Sequence, residues 1–84
     1  VSLDAPSVTF YWRPGCPFCV TLRTRLSAAG IAFTPVNIWD DPDAAAAVRA
    51  ANRGNELVPT VRVGDTWLSN PGLAAVQAVL DSGG

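Results

Sequence analysis

The residues able to do chemistry in this chain are Cys16 and Cys19, its only two cysteines, separated by Pro17 and Phe18. Two thiols at Cys-x-x-Cys spacing, where a strand runs into a helix, form a thiol–disulfide exchange signature. The attacking species in such exchange is the thiolate, and a free cysteine with a pKa of ~8.5 is mostly protonated at neutral pH. A cysteine at a helix N-terminus faces unsatisfied backbone N–H groups and a partial positive charge. The thiolate of Cys16 is therefore expected to be stabilised, with Arg13 adding to the local field. Pro17 at an early helical position gives up an N–H that had no partner, and its ring stiffens the turn between the sulfurs. Cys19 falls one turn deeper on the same face, near enough to bridge to Cys16 but poorly exposed. Cys16 reads as the nucleophile and Cys19 as the resolving thiol.

Two other readings of the pair are weaker. Buried structural cysteines need no proline turn at a helix entry. A zinc site needs about four ligands, and the chain has no histidine. Two cysteines are also too few for the disulfide scaffold of a small secreted protein, and a bridge across two residues closes too short a loop to staple distant elements. The expected compartment is the cytoplasm.

Composition narrows the function further. A length of 84 residues predicts one domain, spanning residues 1–84 with a flexible N-terminal segment over 1–6. The hydrophobic fraction is 49% and the charged fraction 15%, which fits a compact protein and not a disordered one. The net charge of −1 gives no support to nucleic-acid or polybasic membrane binding, and no apolar run approaches the roughly 20 residues of a membrane span. All six basic residues are arginines, and Arg13, Arg23 and Arg25 lie close to the cysteines. Arg25 reads as a solvated helix charge, whereas Arg13 stands beside the thiolate.

Elements must hold the pair in place. Ser7 to Trp12 is β-branched and aromatic, a buried first strand broken by Arg13-Pro14-Gly15. Cys19, Leu22, Leu26 and Ala29 recur at helical spacing from Cys16 to Ala29, and Gly30 sits where a left-handed cap would end that helix. Ile31 to Ile38 is a second strand, placed at a sheet edge because Pro35 cannot donate to a ladder. Asp40-Asp41-Pro42-Asp43 starts a helix that runs to about Arg53. Thr60–Val63 and Thr66–Ser69 form a hairpin across Gly64-Asp65. Asn70-Pro71 opens a last helix with Leu73, Val76, Val79 and Leu80 on its apolar side. The order is β-α-β-α-β-β-α, an α/β fold with a four-stranded mixed sheet and helices on both faces. Trp39 and Trp67 read as core or edge packing, Phe18 as a partly exposed aromatic shelf, and Arg62 as a solvent-facing strand residue.

This order, with Cys16-Pro17-Phe18-Cys19 opening the first helix and Val58-Pro59-Thr60 before the third strand, resembles the minimal thioredoxin fold of the glutaredoxin family. The resemblance implies a cis Val58-Pro59 bond, with Pro59 against the cysteines and the Val58 backbone held out to pair with a thiol peptide or cofactor. Within the family the chain is most similar to actinobacterial mycoredoxins. Trp67-Leu68-Ser69-Asn70-Pro71 stands where common glutaredoxins carry a glycine pair and acidic residues that bind the glutathione amino terminus. Mycothiol lacks the glutamyl group those acids recognise.

The implied site is Cys16 and Cys19, with Arg13, Pro17, Phe18, Val58, Pro59, Ser69 and Asn70 as thiol-binding residues. The implied reaction is reduction of mixed disulfides between proteins and a low-molecular-weight thiol. No cofactor is bound; mycothiol, or glutathione, is the co-substrate. The partners are S-thiolated proteins and a thiol–disulfide reductase, with no nucleic acid and no membrane, and the protein is expected to be a monomer. Two alternatives are weighed. A dithiol electron donor to ribonucleotide reductase would usually carry a Trp-Ser-Gly-Phe-Arg-Pro-like segment, which is missing here. An iron–sulfur carrier usually has Cys-Gly-Phe-Ser, where this chain has Pro17 and Cys19.

Overall fold

The structure is a computed structural model that describes residues 6–82; the N-terminal segment singled out above falls, except for Pro6, outside the described residues. Seven elements follow in the predicted order: β1 (Val8–Trp12), α1 (Pro17–Ala28), β2 (Thr34–Asn37), α2 (Pro42–Ala51), β3 (Thr60–Val63), β4 (Thr66–Ser69) and α3 (Leu73–Asp81). The strands form one mixed sheet in the order β2-β1-β3-β4. β1 runs parallel to β2 and antiparallel to β3, and β3 pairs antiparallel with β4. β2 is an edge strand, as Pro35 requires.

Strand alternation divides the core between the two faces of the sheet. Val8, Phe10, Val61 and Val63 point to the face covered by Leu22 and Leu26 of α1 and Val76 of α3. Tyr11 points the other way, onto Ala44, Ala45 and Val48 of α2. Val58 touches both clusters, so the segment before β3 is anchored from both faces. Trp67 stacks on Tyr11 with ring centroids 5.4 Å apart, the packing role its sequence position suggests. Arg62 is half-buried over the Trp67 ring and its Nε–H donates to the Gly64 carbonyl, so it braces the β3–β4 hairpin instead of facing solvent freely.

Three boundaries differ from the sequence reading. β2 starts at Thr34, not Ile31. The chain must first leave the end of α1, where Ile31 N–H donates to the Leu26 carbonyl. α2 ends at Ala51, because Arg53 and Gly54 both adopt left-handed backbone, at φ 58° and 92°. α3 starts at Leu73. Asn70 does not cap it: Asn70 is left-handed, at φ 46°, and its N–H is given to the Pro59 carbonyl at 2.8 Å.

The α2 start is as the sequence predicts. Asp41 is the N-cap, and its Oδ1 accepts from the N–H groups of Asp43 and Ala44, each at 3.1 Å. Asp41→Ala is expected to cost about 1 kcal/mol, read from urea unfolding. A loss of no more than a few tenths would mean that water satisfies those donors equally well.

Candidate active site

Cys16 is the N-cap of α1, with extended backbone (φ −105°, ψ 101°). Gly15 before it is left-handed, at φ 75°, which lets the chain turn sharply from β1 into the helix. The N–H of Cys19 donates to Cys16 Sγ at 3.1 Å. The first turn of α1 thus presents an otherwise unpaired donor to this sulfur, and the helix dipole points the same way. The first turn contains no acidic residue to oppose it. Cys16 and Cys19 are joined in a disulfide, with Cα atoms 5.2 Å apart.

One expectation needs correcting. Exposure does not separate the two cysteines, since Cys16 is 5% and Cys19 3% exposed. What separates them is position. Cys16 precedes the helix and its sulfur receives the Cys19 N–H, whereas Cys19 lies within α1 in the core beside Leu22.

The Val58-Pro59 peptide is cis, and the Val58 carbonyl oxygen lies 3.9 Å from Cys16 Sγ. Pro59 is buried. Asn70, tied to the Pro59 carbonyl, borders a shallow groove with Pro71, Gly72, Phe18, Thr21 and Arg25. Phe18 is 68% exposed at this groove, a shelf open to solvent. The structure therefore gathers Cys16, Cys19, Val58 and Pro59 at the helix end, with Phe18 and Asn70 along the adjoining groove. Pro17 is exposed in the turn between the sulfurs.

Two residues are placed differently. Ser69 is turned from the groove, and its hydroxyl donates to Asn52 Oδ1. Arg13 borders a separate hollow on the β1 side of the cysteines, with its guanidinium carbon 5.8 Å from the Trp39 ring centroid. Trp39 itself is 62% exposed, so it packs neither in the core nor at the sheet edge as its sequence position suggests. It lies in the turn after β2, where Ile38 takes the buried position.

Sequence reasoning missed Asn52 altogether. Its side-chain amide donates to the Val48 carbonyl at 2.8 Å and to Thr60 Oγ1 at 3.2 Å, while its carbonyl takes the Ser69 hydroxyl. Thr60, fully buried, donates in turn to the Leu57 carbonyl at 2.6 Å. This network fastens the loop before Pro59 to α2 and β4. An asparagine at a helix end carries no local signal for that role, because its partners lie 8 and 17 residues away.

A mixed four-stranded sheet that sets a Cys-x-x-Cys pair at a helix N-terminus against a cis proline defines a thiol–disulfide oxidoreductase of thioredoxin-like fold. The chain belongs to the glutaredoxin family, whose family model matches residues 8–68. It is 39% identical over 75 residues to a Mycobacterium tuberculosis protein named as a glutaredoxin, covering 88% of this chain and 89% of the relative. It is 35% identical over 77 residues to mycoredoxin 1 of Corynebacterium glutamicum, covering 90% and 95%. Among solved structures, the glutaredoxin-like NrdH-redoxin of Escherichia coli matches with a TM-score of 0.66 at 32% identity, covering 75% of this chain and 80% of that one. The thioredoxin-like protein BC3987 shares the fold, with a TM-score of 0.77 at 20% identity, covering 88% and 100%.

Proposed function

We propose that this oxidoreductase reduces mixed disulfides between proteins and mycothiol. The Cys16 thiolate attacks the mycothiol sulfur of a protein–S–S–mycothiol disulfide. The S–S bond breaks, and the protein thiolate leaves with the electron pair and takes a proton from water. A mycothiol thiolate then attacks the mycothiol sulfur of Cys16–S–S–mycothiol, releasing mycothiol disulfide and the Cys16 thiolate. In a side route the Cys19 thiolate attacks Cys16 Sγ, expels mycothiol and closes the Cys16–Cys19 bridge.

The observation that carries this reading is the groove between Phe18 of α1 and Asn70. Among the described residues bordering it, the charged side chain is Arg25 and none is a carboxylate. The glutamyl ammonium of glutathione would meet no counter-charge there, while mycothiol brings no such ammonium. The similarity to mycoredoxin 1 supports the same choice. In this reading Val58 and Pro59 form the wall along which the thiol lies, Phe18 and Asn70 border it, and Ser69 acts through Asn52 to hold the turn. Arg13 and Pro17 shape the approach to Cys16.

The test compares reductants on one mycothiolated protein. Mycothiol with its disulfide reductase is expected to support turnover at least tenfold faster than glutathione. The similarity to NrdH-redoxin favours a second reading, in which thioredoxin reductase and NADPH reduce Cys16–Cys19 directly. Efficient turnover with thioredoxin reductase and without mycothiol would establish that reading and reject the first.

A further inference from the structure

Cys16 and Cys19 line a hollow distinct from the groove of Phe18 and Asn70. On the β1 side lies this hollow of about 90 Å³, whose rim includes Trp12, Arg13, Val20 and Arg23, with both cysteines in its wall. Its remaining lining is Phe10, Pro14 and Gly15, so no acid among the described residues lines it. Arg23 stacks over the Trp12 ring, its guanidinium carbon 5.9 Å from the centroid, and Arg13 stacks likewise on Trp39. A guanidinium laid on an aromatic face is held in place while its N–H edge stays free for a carboxylate. Among the described residues neither arginine has a carboxylate partner; the ion pairs there are Arg49–Glu56 and Arg62–Asp65.

The charge of the chain is segregated in the same sense. Residues 5–39 hold Arg13, Arg23 and Arg25 and no acid, whereas every acidic residue except Asp4 follows residue 39. Beside Arg23 on the helix surface, Val20 is 66% exposed. Two guanidinium groups set on aromatic rings, with no carboxylate partner among the described residues and an exposed apolar side chain beside them, have the composition of a contact surface, in which arginine and aromatic residues are enriched.

We infer that this hollow, with Arg23 at its rim, receives an acidic side chain flanking the mixed-disulfide cysteine of the protein substrate. The inference rests on the mixed-disulfide reading above. Size favours a protein side chain over a second thiol molecule. Small-molecule pockets run to roughly 300–1,000 Å³, and this hollow is well below that. Geometry agrees: with the low-molecular-weight thiol along Val58 and Asn70, the β1 side of Cys16 is the side left for the protein from which it is taken.

The test uses cysteine peptides carrying mycothiol in disulfide linkage, with two glutamates, two serines or two lysines beside the cysteine. Wild-type kcat/KM is expected to be about tenfold higher for the acidic than for the basic peptide at low salt, and the preference should fade at 0.5 M salt by screening, as an order-of-magnitude expectation. Arg23→Gln should reduce the preference to about twofold or less and Arg23→Glu should reverse it, as expected of a rim charge. Arg53→Gln, which removes the same charge beyond α2, should leave the ratio intact. Equal rates for the three peptides, a preference insensitive to salt, or a preference retained in Arg23→Gln would each overturn the assignment. The same peptides carrying glutathione separate the two readings. A charge preference seen there, with no turnover of the mycothiol series, would reject mycothiol and keep the docking site.

Discussion

Cys16→Ser is expected to abolish turnover of mixed disulfides, a loss of at least about a thousandfold in kcat. A serine hydroxyl at neutral pH is neither ionised nor a competent nucleophile towards sulfur, and exchange proceeds only through a thiolate. The position cannot be rescued by Cys19, which lies within α1 in the core beside Leu22. Cys19→Ser should behave oppositely. It removes the thiol that closes the internal bridge but leaves the N–H that donates to Cys16 Sγ, so the thiolate keeps its stabilising contact. That variant should retain activity on mycothiolated protein while losing reduction of disulfides that need two thiols. Appreciable residual turnover in Cys16→Ser would remove Cys16 as the nucleophile. Complete loss in Cys19→Ser would make the dithiol route obligatory.

Phe10→Ala carries the largest expected effect on stability, about 3–5 kcal/mol. Phe10 is 1% exposed on β1, which lies between β2 and β3. It packs in the cluster of Leu22, Leu26 and Val61 and meets Phe33 edge-on at 5.4 Å. β1 is held by ladders on both sides, which limits how far its backbone can close on the space. Domains hold only about 0.05–0.15 kcal/mol per residue, so a loss of this size removes a large part of the stability of a chain of this length. Urea unfolding should show the midpoint lowered with a similar slope, and Phe10→Leu should recover most of the loss because it refills the volume. A loss below about 1 kcal/mol would mean that the β1–α1 interface tolerates a void, contrary to the close packing of protein cores. Phe10 also borders the hollow beside the cysteines, so Phe10→Leu offers a folded background in which to ask whether the floor of that hollow affects peptide preference.

The elements most legible in the sequence were those specified by local chemistry. The hairpin strands Thr60–Val63 and Thr66–Ser69 match the prediction residue for residue, because a left-handed Gly64 and alternating β-branched residues define such a unit over ten positions. The Asp41 cap and the Gly30 stop follow from equally short-range hydrogen bonding and backbone sterics. Boundaries slipped where a distant partner intervened. The Asn70-Pro71 pair has the composition of a helix start, yet the Asn70 N–H is drawn to the Pro59 carbonyl eleven residues away, and the helix begins only at Leu73.

The candidate site divides along the same line. By itself the sequence determined the reactive pair, its place at a helix entry, the partner proline and the family, because each is written in contiguous residues whose chemistry is local. Tertiary structure decided what surrounds the pair. It brought Val58 to Cys16 across 42 residues, turned Ser69 away to Asn52, left Trp39 in solvent under Arg13, and laid Arg23 on Trp12 beside the cysteines. Those placements depend on how the sheet and helices pack and on which buried polar groups must be satisfied. Spacing along the chain carries no record of either.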